Sequence, residues 1–270
     1  MKSALTMFMS FIEKEKNKSN KFVYIIIAFL SIRLLINLLT LIPADVFVWY
    51  SSFEFIFVSM ITTYIIYDTS KLYEAGNKNR TYLRLIAIGT LGWALGETIW
   101  VFYELVLLEA PYPSIADFFY IIAYIPIAFA LFSKARDTKI EPDKGRLIVV
   151  IIVVFDFILI ALFVLIIPIF QYGDEPLVTI ISIMYPILDI ILVINAGYIV
   201  AKFAGGRMEK AWLIYGLAMF TNAIADTLFG YEDWNEIYNS HSLADFLFLV
   251  SYLLTIYFCK YLKETFDNNL

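Results

Sequence analysis

Eight runs of about 20 apolar residues divide this chain, each long enough to cross a hydrocarbon core of about 30 Å. They lie near residues 23–42, 47–68, 82–107, 114–133, 147–170, 177–201, 209–230 and 242–261. Hydrocarbon offers no hydrogen bonds to the backbone, so such runs are expected to satisfy their own N–H and C=O groups as helices. At 61% hydrophobic residues the chain lies well above the ~45–50% of a soluble domain. The expected fold is all-α: a polytopic integral membrane protein, multi-pass in the cell membrane, of about eight transmembrane helices.

The basic residues test that count independently. Of 20 Lys and Arg, 19 lie before the first span, in alternate connections, or at the end of the chain. The other connections (Pro43–Asp45, Glu109–Pro113, Gln171–Pro176 and Tyr231–His241) hold none. Positive residues mark the cytoplasmic side, so both termini are expected inside, as an even number of spans requires. The chain then divides into a basic cytoplasmic tail (1–22), a first four-helix half (23–133), a cytoplasmic loop (134–146), a second half (147–263) and a short tail (264–270). The inner face sums to +9 and the remainder to −14. A basic inner face suits anionic lipid headgroups, and an acidic outer remainder attracts cations and argues against nucleic acid.

The division into halves rests on an internal echo. Ser114-Ile115-Ala116-Asp117-Phe118-Phe119-Tyr120, running on to Tyr124, recurs as Ser242-Leu243-Ala244-Asp245-Phe246-Leu247-Phe248, running on to Tyr252. Upstream of each, Ala94–Trp100 echoes Ala223–Phe229, with Glu97 in the place of Asp226. Four crossings separate the copies, so the repeat is parallel, an arrangement in which sites lie at the interface of the halves.

Acids in a membrane segment cost about 2.5–3.5 kcal/mol even on lenient scales, so they have a partner or a task. Ser114-x-x-Asp117 and Ser242-x-x-Asp245 fit a capping box, in which serine starts the helix and the acid reaches back to it. No cap explains Glu97, Asp156, Asp189 or Asp226. Glu97 shares a helix face with Trp93, Trp100 and Glu104, and Asp226 shares one with Asn222 and Phe229, a mixture of polar and aromatic groups suited to a cavity. The alternative is acids hydrogen-bonded between helices with no cavity. Arg33, with Asn37 one turn on, is the one basic residue inside a span and is expected to be a counter-charge. Gly92 and Gly96 suit close helix contact. Pro126 and Pro186 are expected to bend their helices.

The chemistry is narrowed by what is missing. One histidine, His241, cannot build a multi-histidine zinc site, no nucleophile elbow or Cys–His pair appears, and Cys259 is the sole cysteine. No enzyme, metal or cofactor is expected.

The run Pro113–Tyr120, with Tyr124, the Gly96–Trp100 segment and the second copy around Asp245, resembles the multi-helix membrane input modules of prokaryotic signalling proteins. Those modules precede PAS, histidine kinase or diguanylate cyclase domains. The resemblance implies a sensor or binding module, and with no effector domain after Leu270 the output is expected to need a separate cytoplasmic partner. The expected ligand is small, lipidic or cationic, held by Glu97, Asp117, Tyr124, Asp189, Asp226, Asp245 and Tyr252 with Arg33 as counter-charge. Two alternatives remain open: a proton- or cation-coupled transporter and a structural subunit of a membrane complex.

Overall fold

The computed structural model describes the backbone of residues 2–173, 175–206, 208–239 and 241–267, with side chains described from residue 21 to 266 in those ranges. Arg207, the basic side chains before Lys21 and the tail at 268–270 lie outside the described residues, so the charge placements made on them do too. Among the described residues, eight helices are long and apolar enough to cross a membrane: α1 Lys2–Leu39, α2 Ala44–Ser70, α3 Lys78–Leu107, α4 Ile115–Asp137, α5 Lys144–Tyr172, α6 Pro176–Lys202, α7 Glu209–Trp234 and α8 Leu243–Asp267. No strand occurs among the described residues.

The helix starts follow from local chemistry. Asn77 caps α3 by accepting from the Asn79 N–H, and Asp143 caps α5 by accepting from Arg146 N–H. Pro176 opens α6 at a position where its missing N–H is no loss. Single π-helical turns at Tyr103–Leu107 and Leu162–Ile166 lie within α3 and α5. Residues 2–22, expected as a cytoplasmic tail, are helical and continuous with the apolar part of α1, which begins near Lys21. Residues 2–39 contain neither Gly nor Pro, so nothing interrupts the helix before Leu39.

The chain divides into a unit at Met1–Pro43, holding α1, and a unit at Ala44–Leu270, holding α2–α8. Within the second unit α3 packs on α4, α7 on α8, α2 on α3 and α6 on α7, while α4 meets α6 and α2 meets α8. Large apolar side chains such as Phe57, Phe129, Ile151 and Phe163 stay more than half exposed, as a surface solvated by lipid requires.

The two ends of this seven-helix unit differ. At the basic end, Lys78 pairs with Asp137 (2.8 Å), Lys263 with Asp68 (2.7 Å) and Arg146 with Glu209 (2.5 Å). Lys202 Nζ donates to the last carbonyls of α4, Ala135 O and Thr138 O. Above these ties a core of buried side chains, including Ile86, Ile127, Leu131, Leu192, Tyr215 and Phe258, fills the half of the unit next to the basic end.

The tightest helix pair is set by glycine. A Cβ at Gly89 would stand 2.6 Å from Ala123 O, and one at Gly92 would stand 2.8 Å from Ala123 Cβ. A Cβ at Gly96 would meet the Tyr120 ring at 2.7 Å. These three positions let α4 lie directly on α3. Gly89→Ala is therefore expected to lower stability in detergent by about 1–3 kcal/mol, because a backbone carbonyl cannot swing aside. Gly145→Ala, where a Cβ meets only Asp143 Oδ1 at 3.4 Å, is expected to change it by less than about 0.5 kcal/mol. Chemical unfolding of both variants checks the contrast.

Candidate ligand-binding cavity

A cavity of about 400 Å³ occupies the other half of the seven-helix unit. Its lining comes from the first turns of α2, α4, α6 and α8 and the last turns of α3, α5 and α7, which all lie at the end opposite the basic one. It runs from exposed Asp233 and Tyr112 at the rim to buried Asp189 at the floor. Asp189 sits thirteen residues past Pro176, about 20 Å along α6 at 1.5 Å per residue.

Asp117 has two duties. Its Oδ2 accepts from the Ser114 N–H (2.7 Å) and Oγ (2.8 Å), and Ser114 Oγ accepts from the Ala116 N–H (3.1 Å), completing the capping box. Its Oδ1 accepts from the Tyr185 hydroxyl of α6 at 2.8 Å and so belongs to the cavity wall. The second copy repeats the start: Ser242 Oγ accepts from the Ala244 N–H at 2.9 Å, and Asp245 accepts from the Tyr238 hydroxyl at 3.2 Å. The serine hydroxyl itself donates to Glu232.

At the floor, the Tyr124 hydroxyl lies 2.9 Å from Asp189 Oδ1 and 3.2 Å from Asp226 Oδ2. One proton serves two acceptors, so the hydroxyl bridges α6 and α7. Asn222 Nδ2 adds a second donor to Asp226 at 2.6 Å. Asp189 Oδ2 is buried with no hydrogen-bond partner. Tyr124 is itself held by Trp93, whose ring meets it edge-on at 5.4 Å between centroids. Tyr120 lies beside Glu97 on the same α3–α4 seam. Tyr252, the second-copy counterpart of Tyr124, is buried in the lining.

Tyrosines also form the rim. Burial pushes the Tyr112 phenol up to about 12, and burial raises that of Tyr238 as well, with Asp245 beside it adding to the effect. Both hydroxyls stay protonated at neutral pH. Tyr112 shares a hydrogen bond with Ser182 across to α6 (2.8 Å).

Seven of the eight residues singled out in the sequence therefore meet in one cavity. The eighth, Arg33, belongs to the first unit, where its guanidinium donates to Asn37 of the same helix, the pair one turn apart that the sequence suggests. Asp156 stands on an exposed face of α5, outside the lining. Sequence reading missed Tyr120, Tyr185 and Asp233. Each lies four or seven residues from a named site residue (Tyr124, Asp189 and Asp226 respectively), so helical spacing held the signal.

Comparison with protein-family models, curated proteins and solved structures finds no match to this chain.

Two buried tyrosines separate a working hydroxyl from an idle one. Tyr124→Phe removes the bridge between two acids and is expected to cost about 1–3 kcal/mol of stability. Tyr215 is 1% exposed and its hydroxyl has no partner, so Tyr215→Phe is expected to be neutral or stabilising. Equal losses in thermal unfolding of the two variants would remove the bridging role.

Proposed function

We propose that this protein is a multi-pass sensor module of the cell membrane. Its cavity binds a small ligand from the outer side, and the basic cytoplasmic end passes the state on to a separate signalling partner. The observation that carries the reading is the convergence of seven sequence-flagged side chains on one cavity. Beneath Asp189, the half of the unit next to the basic end is packed mainly with buried apolar side chains. That arrangement suits a receptor better than a carrier, although the acids at the floor are also ordinary equipment for cation-coupled transport.

Outward orientation is supported by the absence of Lys and Arg from the connections around the cavity mouth. Two parallel four-helix halves are supported by the pairing of the helices. α3 lies on α4 as α7 lies on α8, α2 on α3 as α6 on α7, and α4 meets α6 as α8 meets α2. A pseudo-two-fold axis along the bundle would exchange each pairing with its counterpart, and sites of parallel repeats lie at such an interface. The resemblance of Pro113–Tyr120 to prokaryotic membrane input modules supports a sensory role.

Cysteine accessibility in whole cells tests both parts, in a Cys259→Ser background. Ser182→Cys, in the cavity wall, is expected to react with a membrane-impermeant maleimide added outside. Thr90→Cys, 3% exposed in the packed half, is expected to stay unlabelled from either side. Labelling of Ser182→Cys only after permeabilisation would reverse the orientation. Labelling of Thr90→Cys from the cytoplasmic side would favour the transporter.

A further inference from the structure

The cavity's charge is one-sided. Seven carboxyl side chains line it, from Glu97, Glu104, Asp117, Asp189, Asp226, Asp233 and Asp245, and among the described residues of the seven-helix unit no Lys, Arg or His does. The hydrogen bonds that Asp117, Asp226 and Glu104 accept here come from neutral donors: Tyr185 and the Ser114 cap to Asp117, Tyr124 and Asn222 to Asp226, and Ser52 to Glu104. Neutral donors satisfy lone pairs without adding positive charge, and a cleft lined by acids in a low-dielectric setting favours cations over anions.

Two further observations decide what kind of cation. Among the described residues, no group of three or more Asp, Glu, His or Cys side chains is placed to hold a metal ion. The acids are instead spaced among aromatic rings, with Trp93, Trp100, Tyr120, Trp234, Phe248 and Tyr252 in the same walls. Aromatic faces attract organic cations and pack against their apolar bodies. The second observation is Asp189 itself. It is 1% exposed, it lines the cavity floor, its Oδ1 is used by Tyr124, and its Oδ2 has no donor. An acceptor buried without a donor is costly, and a ligand N–H would satisfy it.

We infer that the ligand is a protonated amine with an apolar body. Its ammonium N–H donates to Asp189 Oδ2 at the floor, and its body lies against the tryptophan and tyrosine walls. This rests on the receptor reading above and sharpens its ligand. A quaternary ammonium of the same shape keeps the charge and the attraction to the rings but brings no N–H, so it binds more weakly. A neutral alcohol of the same shape loses the charge as well.

The test uses the full chain in nanodiscs and four probes of one size: 2-phenylethylammonium, its N,N,N-trimethyl derivative, 2-phenylethanol and phenylacetate. Trp93, Trp100 and Trp234 line the site, so intrinsic tryptophan fluorescence reports occupancy. The expected order is ammonium, then trimethylammonium, then alcohol, with the ammonium about tenfold or more tighter than the alcohol and phenylacetate weakest. Asp189→Asn keeps an acceptor for Tyr124 but replaces the free oxygen with an amide donor. It is expected to weaken the ammonium about tenfold while leaving the alcohol unchanged, and thermal unfolding of the variant confirms that it folds. Asp156→Asn, outside the cavity, is expected to change neither affinity.

The inference fails if none of the four probes binds at millimolar concentration, if alcohol or phenylacetate binds as tightly as the ammonium, or if Asp189→Asn leaves the ammonium's affinity intact. Preferred binding of alcohol or phenylacetate would still leave an outward-facing receptor standing. Conversely, net uptake of radiolabelled 2-phenylethylammonium into proteoliposomes would sustain the amine and overturn the receptor in favour of a carrier.

Discussion

A carboxylate held inside hydrocarbon must find donors without water, and the cavity half of this protein is organised by that requirement. Beyond its first turn a helix has no free backbone N–H to offer its own acids. Much of the supply comes from neighbours: Tyr185 of α6 reaches Asp117 of α4, and Tyr124 of α4 reaches Asp189 of α6 and Asp226 of α7. Three helices are thereby fixed in register by two hydroxyls. The lipid-facing surface contributes nothing comparable, since apolar side chains gain little by leaving hydrocarbon for one another.

That register depends on how close the helices come. Tyr120 and Tyr124 lie on α4, and they face Glu97 and Trp93 because Gly89, Gly92 and Gly96 leave out the Cβ at three close contacts of α3 with α4. The smallest residues in α3 thus set the position of the largest side chains in the site. At the opposite end the same helices are tied by ordinary ion pairs such as Lys78–Asp137, exposed pairs worth about 0–1 kcal/mol each. The unit is closed by packing at one end and opened by unpaired volume at the other.

Much of this was legible in the sequence, for identifiable reasons. Eight spans follow from length and apolarity, and the alternation of Lys and Arg locates the end at which acids accumulate. Helical spacing groups Glu97 with Trp93 and Trp100. What spacing cannot supply is the meeting of different helices. Nothing in the sequence says that Tyr185 reaches Asp117, 68 positions away, or that Tyr124 bridges two acids. Asp156 shows the converse failure. Its depth equals that of Asp189, yet it stands on an exposed face, because depth along one helix does not reveal which side meets the neighbours.

The repeated serine–aspartate element shows why a structural and a functional reading of one residue need not compete. A carboxylate has two oxygens, and at Asp117 they divide the work. Oδ2 reaches back to Ser114 and starts α4, while Oδ1 accepts from Tyr185 and forms the wall. A capping acid is fixed within the first turn of its helix, so it enters the cavity at constant depth and orientation. Asp189 is tied to Tyr124 through Oδ1 and lies beside the Asp226 carboxyl, while its Oδ2 has no donor. The two acids therefore differ in kind. Asp117 is a finished structural element that happens to face the cavity, whereas Asp189 keeps one oxygen unspent. An unspent acceptor at the floor of a cavity walled by tyrosine and tryptophan is what sets Asp189 apart from the capping acids.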